Sequence, residues 1–396
     1  MRFLHTSDWQ LGLSRYYLDE DARARYAADR FEAIRRLGEL AEAEAAGFVV
    51  VAGDVFDSNR VDRRTLLRGL DAMAAVAVPV LLLPGNHDAL DAASVYTSKA
   101  FRENQPRNVQ VLDGESPVRI SSDVEVVGAP WPNKKPLIDL VARRAEALEP
   151  ASGRLRVMVG HGAVDSLSPD ADDPARIRLD DARRHLEEGR YHFLALGDRH
   201  SATRVAEGIW YSGTPEATDF NEERPGRVLL VDLGDGSPRV EELEVGRWHF
   251  LRRTFDLAGE DDLLALKEEL DGVADPSRTV LRLHLTGHLP LHSRVELDRL
   301  LAAAGERFAA VDRAGRDELT LIPDDLDRDA LDLSGWAAAA FEELLAEADE
   351  EGGEARVAAD ALALFYRLAA DTGAETSAES SAANSKETDG SGRAGA

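Results

Sequence analysis

The sequence predicts an α/β fold of helix-covered sheets, and three observations predict it. Short apolar runs of the buried-strand type, such as Phe48-Val49-Val50-Val51-Ala52 and Val80-Leu81-Leu82-Leu83, recur between Arg2 and Val245. Amphipathic segments of helical period separate them. Asp, Asn, His and Gly residues gather just after the runs, where the loops at one edge of a sheet converge.

Taken in order, Arg2-Phe3-Leu4-His5 is the first expected strand, and a long helix runs from about Asp21 to Ala46, with Gly47 as its expected C-cap. The Phe48–Ala52 strand follows, then a helix around Arg63 to Ala75 and the Val80–Leu83 strand. Further strands are expected at Val109–Leu112, Val124–Val127, Leu155–Val159, Phe193–Leu196 and Val228–Leu233. This first domain is assigned residues 1–245. The rhythm changes over residues 246–323, where strands at Phe250–Leu257, Val280–Leu285 and Leu319–Ile322 alternate with helices at Asp261–Leu270 and Arg294–Ala303. A separate small α/β domain is expected there. Over residues 324–372, Trp336, Phe341 and Leu344, then Leu364 and Phe365, fall at helical spacing on either side of Gly352-Gly353, which predicts a helical hairpin with one apolar face. Residues 373–396 carry no large apolar side chain and are expected to be a disordered tail.

Composition narrows the chemistry. With 44% hydrophobic residues a large core is possible. The absence of cysteine excludes disulfides, thiolate metal sites and cysteine nucleophiles. No basic and apolar leader pattern precedes the first strand, and the apolar stretch near Val76 to Leu83 is interrupted by Pro79. A soluble, cytoplasmic protein without a membrane partner is expected. The net charge of −27 sets a solvated acidic surface, and any grip on a polyanion must be local, metal-assisted or shared with a basic partner. No Gly-rich phosphate loop followed by Lys-Ser/Thr and no Gly-x-Ser-x-Gly elbow is present, which argues against an ATPase or a serine hydrolase.

The chemistry-bearing residues are Asp8 and Gln10, Asp54, Asn86, His87 and Asp88, His161, and Asp198 with His200. Individually, Gly-Asp and Gly-Asn pairs are turn formers, and a lone histidine is more often structural than a ligand. As a set, in this order and each at a strand end, they are oxygen and nitrogen donors suited to two divalent cations, and a cation pair cleaves phosphate esters. Asp54 is placed to bridge the two. Asp8 and Gln10, two apart on an extended segment, would share one cation.

The order of these motifs resembles the calcineurin-like metallophosphoesterases. Three stretches narrow the resemblance: His5-Thr6-Ser7-Asp8-Trp9-Gln10-Leu11-Gly12, Gly53-Asp54-Val55-Phe56-Asp57-Ser58-Asn59-Arg60 and Tyr211-Ser212-Gly213-Thr214-Pro215-Glu216. They are similar to the SbcD-type DNA repair exonucleases, the nuclease half of a complex with an SbcC-type ATPase. The resemblance implies a sandwich of two β-sheets flanked by helices, a DNA-capping role for the small domain, and hydrolysis of phosphodiester bonds in DNA by exonuclease and endonuclease action. It implies one cation held by Asp8, Gln10, Asp54 and His200, and another by Asp54, Asn86, His161 and Asp198. His87 matches the catalytic histidine, with Asp88 orienting it or bracing its loop. The family's usual residue at both Gln10 and Asp198 is histidine. These two departures favour harder cations, Mn2+ first, with Mg2+ or Fe2+ as alternatives. The implied partners are DNA, a coiled-coil ATPase docked on the terminal hairpin, and a second copy of the chain within the complex; the hairpin's apolar face serves equally well to dock on its own domain.

Two other readings compete: a phosphodiesterase or phosphatase for a small phosphoester, and a non-catalytic scaffold with a degraded site. Arg252 and Arg253, and Lys134 with Lys135, are candidate DNA-backbone contacts that are otherwise plain surface charge. His284, His288 and His292 are read as strand and loop residues rather than a metal site.

Overall fold

The structure is a computed structural model that describes residues 1–168, 172–234, 236–313, 318–322, 335–348, 357–358, 361–362 and 364–365. Its chain divides into two units, Met1–Phe250 and Leu251–Ala396.

The first unit is built on two six-stranded sheets. One contains β1 (Arg2–Thr6), β2 (Val49–Val51), β3 (Val80–Leu82), β4 (Val109–Val111), β11 (Arg227–Asp232) and β12 (Arg239–Glu244), in the order β12-β11-β1-β2-β3-β4. The other contains β5 (Val118–Arg119), β6 (Val124–Gly128), β7 (Leu155–His161), β8 (Phe193–Gly197), β9 (Thr203–Ala206) and β10 (Ile209–Tyr211), in the order β5-β6-β7-β8-β10-β9. The central pairings β1/β2/β3/β4 and β6/β7/β8/β10 are parallel, and the antiparallel strands lie toward the edges.

The two-residue period of a strand explains the layering. Val50, Leu81, Phe3 and Phe48 turn inward and meet Val126, Val157, Val159 and Phe193 of the facing sheet. Phe3 stacks on Phe48 at 4.9 Å and meets Phe193 edge-on at 5.7 Å. The alternate residues Leu4, Val49, Val51, Val80 and Leu82 turn outward. They bury against Ile34 and Leu37 of α1 (Glu20–Ala43) and Leu66, Leu70 and Met73 of α2 (Arg63–Ala74), with Phe101 of α3 (Lys99–Asn104). On the far side Met158, Leu194 and Leu196 pack on Val141 and Ala145 of α4 (Leu140–Glu146) and Ala182 of α5 (Leu179–Glu187). The result is the expected sandwich: helices, sheet, sheet, helices.

Helix α1 starts where Asp19 accepts the Ala22 N–H at 2.7 Å, with Glu20 and Asp21 in its first turn. Its end departs from expectation. The left-handed residue is Ala45 at φ 50°, and Gly47 instead donates its N–H to the Arg2 carbonyl at 2.9 Å, tying the loop to β1.

The second unit takes up the chain along β13 (His249–Leu257), whose first two residues belong to the first unit. It continues through α6 (Glu260–Asp271), β14 (Thr279–Pro290), α7 (Leu291–Arg307), β15 (Ala310–Arg313), β16 (Glu318–Ile322) and α8 (Trp336–Ala348). Strand β14 runs five residues past its expected end at Leu285, because it has two parallel partners in succession. Val280–Leu283 pair with β15, which the sequence did not reveal, and Thr286–Pro290 pair with β16. Leu257, Leu263, Leu266, Leu281, Leu283 and Leu297 form this unit's core. His284 and His288 lie on β14 and His292 on α7, and among the described residues they join no metal-binding group.

The apolar face of the terminal segment is in part covered by its own unit. Phe341 of α8 is buried with Leu362, and Leu344, Leu345, Phe365 and Val295 of α7 pack around them. Phe341, Leu344 and Phe365 are therefore spent within their own unit, whereas Trp336 (81% exposed) and Leu364 (46% exposed) remain on the outside. The hairpin's turn at Gly352-Gly353 and the tail 373–396 lie outside the described residues. Among the described residues, no helix is long and apolar enough to cross a membrane.

Candidate metal centre

Both sheets aim their C-terminal strand ends at one place. Asp8 follows β1, Asp54 follows β2, Asn86 and His87 follow β3, His161 closes β7, and Asp198 and His200 follow β8. Ligand atoms of buried Asp8, Asp54 and His161 all lie within 4.8 Å of one another. Nearly every candidate ligand from the sequence thus reaches one locus.

The backbone is strained just here. Among the described residues, the non-glycine residues with positive φ are Asp8 (53°), Gln10 (42°), Asp54 (53°), Asp198 (99°) and the helix-terminating Ala45. Each left-handed position costs of order 1–3 kcal/mol, and such strain gathers at functional sites. It also corrects the basis on which Asp8 and Gln10 were paired. They lie in irregular chain at left-handed φ and not on an extended segment, with the Asp8 and Gln10 amides donating to the Gly53 and Asp54 carbonyls at 3.0 and 2.8 Å.

Glycines permit the approach. A Cβ on Gly53 would fall 2.1 Å from His161 Nδ1, one on Gly85 2.2 Å from Asp54 Oδ1, and one on Gly197 1.9 Å from the Ala52 carbonyl oxygen. Gly85 is needed for this clearance and not for a left-handed turn, since it does not adopt positive φ.

His161 Nδ1 faces the Ala52 carbonyl at 2.8 Å. A carbonyl only accepts, so Nδ1 carries the proton and Nε2 is turned to the site. The Asn86 amide lies 2.7 Å from His161 Nε2 and 3.1 and 3.2 Å from the two Asp54 carboxylate oxygens. His161 Nε2 is also 3.5 Å from Asp54 Oδ1 and 3.8 Å from Asp198 Oδ1. Cation–donor bonds of about 2.1 Å place neighbouring donors about 3.0–3.4 Å apart, which is close to these separations. The amide orientation is informative as well. Without a cation, the amide nitrogen suits the two Asp54 oxygens; a cation among these groups takes the oxygen. The donor set therefore fits a divalent cation.

The second group is looser. His200 Nε2 stands 3.9 Å from Asp8 Oδ1 and 3.3 Å from Gln10 Nε2. Asp8 accepts from Ser7 Oγ at 2.6 Å and from the Asp198 amide at 3.1 and 3.3 Å. His200 Nδ1 is held by Thr218 Oγ1 at 2.7 Å and Glu222 Oε1 at 2.8 Å. A carboxylate behind a metal-binding imidazole fixes its tautomer and raises its basicity.

His87 sits at the rim, its side chain 42% exposed and its Nε2 3.9 Å from Asp54 Oδ2. Its amide donates to Asp54 Oδ1 at 3.0 Å, and its Nδ1 faces the Asp57 carbonyl at 2.8 Å. That carbonyl orients the ring, a role expected of Asp88 from the sequence. Asp88 serves as the loop brace instead: its carboxylate accepts from the Gly85 amide at 2.8 Å, the Phe56 amide at 3.0 Å and Tyr96 Oη at 2.6 Å. Burial, then the nearby Asp54 charge, push Asp88 up to about 6.

Electrostatics bind the cluster to protons when no cation is present. Burial pulls the His161 imidazole down, but Asp54, Asp8 and Asp198 outweigh it and hold it well above the usual histidine value. Burial pushes Asp54 up, and His161 and His87 outweigh it and hold the carboxyl below its usual value. The metal-free site therefore keeps a proton on His161 near neutrality, and a cation must expel it. Calorimetric titration with Mn2+ in buffers of different ionisation enthalpy is expected to show proton release. Apparent affinity should rise with pH as the proton on His161 becomes easier to expel, and proton-neutral binding would contradict this.

Sequence patterns did not single out Glu222, Thr218 and Ser7, nor the contact of Trp131, whose Nε1 donates to the His161 carbonyl at 2.7 Å. The candidate Arg253 pairs with Glu269 at 2.5 Å, and Arg252 is exposed on the same strand. Lys134 and Lys135 line a cavity of about 500 Å3 with Trp131 and Leu137.

The chain is 27% identical over 245 residues to the DNA double-strand break repair protein Mre11 of Archaeoglobus fulgidus, covering 56% of this chain and 52% of that protein. It thus spans about half the length of this curated relative. Among solved structures, a Thermus thermophilus protein matches with TM-score 0.41 and 12% identity over 62% of this chain and 98% of the other. A dimetal phosphatase from Danio rerio matches with TM-score 0.36 and 15% identity, over the same shares of each chain. The calcineurin-like phosphoesterase family matches residues 1–231, more than half of the sequence and all the strands that supply the ligands, and the chain belongs to that family.

Proposed function

We propose that this metal-dependent phosphoesterase is a manganese-dependent DNA exonuclease and endonuclease, the nuclease subunit of a DNA repair complex with a coiled-coil ATPase. The observation that carries the hydrolytic part is the placement of His87. It stands exposed at the rim, beside the buried Asp54 carboxylate. DNA as substrate is supported by the three motif stretches and by the similarity to an archaeal break-repair protein over 245 residues.

Asp54, Asn86, His161 and Asp198 would hold one cation, and Asp8, Gln10, Asp54 and His200 the other. When bound, the pair supplies positive charge for the phosphoryl oxygens and acidifies water near neutral pH. His87 keeps its Nδ1 proton on the Asp57 carbonyl, so only Nε2 meets substrate. From there, in its protonated form, it donates to the phosphoryl group or to the departing oxygen. The Asp54 carboxylate, fixed by the His87 amide, keeps the two groups of donors in register.

In this reading the second unit covers DNA, with Arg252 and Arg253 facing the backbone. Trp336 and Leu364 meet the ATPase in the helix-in-groove manner, and two copies of the chain act together in the cytoplasm. The −27 charge favours one competitor, a hydrolase of small phosphoesters. The deciding assay offers labelled duplex DNA, single-stranded DNA and a chromogenic phosphodiester, each with Mn2+, with and without the ATPase. The nuclease reading expects DNA cleavage, stimulated by the ATPase on duplex ends. Turnover of the chromogenic ester alone would give the site to small substrates.

A further inference from the structure

A separate cavity lies in the first unit. It encloses about 400 Å3, the size of a small-ligand pocket, and none of the candidate cation ligands lines it. One wall is made by the loop that follows His87 and the loop that follows β6, joined where the Leu90 amide donates to the Trp131 carbonyl at 2.8 Å. Another is the turn after β4. Gly114 sits there at φ 82°, and a Cβ on it would fall 3.0 Å from Pro130 Cδ, so glycine lets the turn close on that loop. The last wall is α4, which contributes Leu140 from its first turn and Arg143 and Arg144 from its last.

Arginines in a last turn commonly serve the helix end. Here that task is already done. Arg190 Nη1 donates to the Ala145, Glu146 and Leu148 carbonyls at 3.1, 3.1 and 2.8 Å. Among the described residues neither Arg143 nor Arg144 has an ion-pair partner, in a chain of net charge −27. Arg144 Nε is buried and makes no hydrogen bond. The acidic residue of the lining, Asp113, turns its carboxylate to the Glu115 amide at 3.0 Å. Burial pulls the Arg144 guanidinium below its ordinary value, and Asp113 does not offset this. A half-buried guanidinium without a partner is costly until an anion meets it. Beside the two arginines the lining is largely apolar, with Leu90, Pro130, Pro132 and Leu140.

We propose that this cavity binds an organic phosphate of the nucleoside monophosphate class. Arg143 and Arg144 hold its phosphoryl group through charge-assisted hydrogen bonds, and Leu90, Pro130, Pro132 and Leu140 receive the flat apolar ring. The site goes beyond the reading above and depends on neither the cation pair nor DNA as the substrate.

The test is calorimetric titration of the full chain with adenosine monophosphate, adenosine and inorganic phosphate, in EDTA so that no cation competes for the phosphate. Saturable binding of the monophosphate is expected, at least about tenfold tighter than that of either fragment. Arg143→Ala should weaken it by about tenfold or more, the worth of a charge-assisted hydrogen bond to the phosphoryl group. Ala147→Phe, at an exposed position of the lining, should abolish binding by filling the cavity. Both variants should keep the circular dichroism and the Mn2+ binding of the wild type, which separates loss of the site from loss of the fold. A 5′-phosphorylated dinucleotide that binds as tightly as the monophosphate would uphold the site and assign it to strand ends; weaker binding would uphold it for free nucleotides. A monophosphate held no more tightly than inorganic phosphate would overturn the proposal. So would monophosphate binding that neither Arg143→Ala nor Ala147→Phe changes, since the nucleotide would then lie elsewhere.

Discussion

Asp54→Ala empties both cation positions and abolishes hydrolysis. Asp54 is the proposed common donor: its carboxylate lies 3.1 and 3.2 Å from the Asn86 amide and 3.5 Å from His161 Nε2, and ligand atoms of Asp8, Asp54 and His161 all lie within 4.8 Å of one another. Removing it leaves Asn86, His161 and Asp198 on one side, and Asp8, Gln10 and His200 on the other, with no anion between them. The expected loss in kcat is at least about four orders of magnitude, on the scale of disabling a whole catalytic unit. Activity alone does not distinguish this from misfolding, so two further readouts are needed. Elemental analysis after desalting should fall from two Mn2+ per chain to none. Thermal unfolding should lose its dependence on Mn2+, because a ligand that binds only the native state stabilises it in proportion to occupancy. The metal-free fold should weaken by only about 1–3 kcal/mol, the worth of the hydrogen bond that the part-buried His87 amide makes to this carboxylate. Retention of two ions per chain would reject the shared-carboxylate assignment.

The same residues show how far the sequence was legible. Strands β2 and β3 were readable because Val49 to Val51 and Val80 to Leu82 bury both faces, one on helices and one on the opposing sheet. A run apolar at every position is what that environment selects. The gathering of the candidate ligands was readable because parallel strand ends bring distant loops together, and Asp, Asn and His stand at several such ends. The residues behind the ligands were not readable. Glu222 is one of 74 acidic residues, and nothing in its neighbours marks it as the one that holds His200. The partner that orients His87 is a backbone carbonyl, which has no signature in sequence at all. The helix end at Ala45 was missed because Gly47 is the better left-handed residue in isolation. The chain spends Gly47 on its bond to Arg2 instead. On α8, periodicity identified an apolar face but left open whether its own unit or a partner covers it, and Val295 and Leu362 take Phe341.

His87→Ala should separate binding from chemistry. The ring makes no contact that a cation needs: His161, Asn86 and Asp54 are held by the Ala52 carbonyl and by one another, and the His87 contact to Asp54 Oδ1 is made by its main-chain amide, which alanine keeps. Mn2+ content and the proton release on binding should therefore match the wild type. What disappears is the Nε2 group at the rim, and general acid or charge-stabilising residues of this kind contribute about 10²–10⁴-fold to rate. The loss should lie in kcat, with KM changed by about threefold or less, because the group acts on charge that develops in the transition state. The leaving group then reports which role the ring has. A phosphodiester with a good leaving group needs no proton donor, so if His87 protonates the departing oxygen, His87→Ala should cost far less on a chromogenic ester than on DNA. Equal losses on both substrates would place the ring on the non-bridging oxygens instead. A variant as active as wild type on every substrate would remove His87 from the reaction and leave its exposed position beside Asp54 without a chemical role.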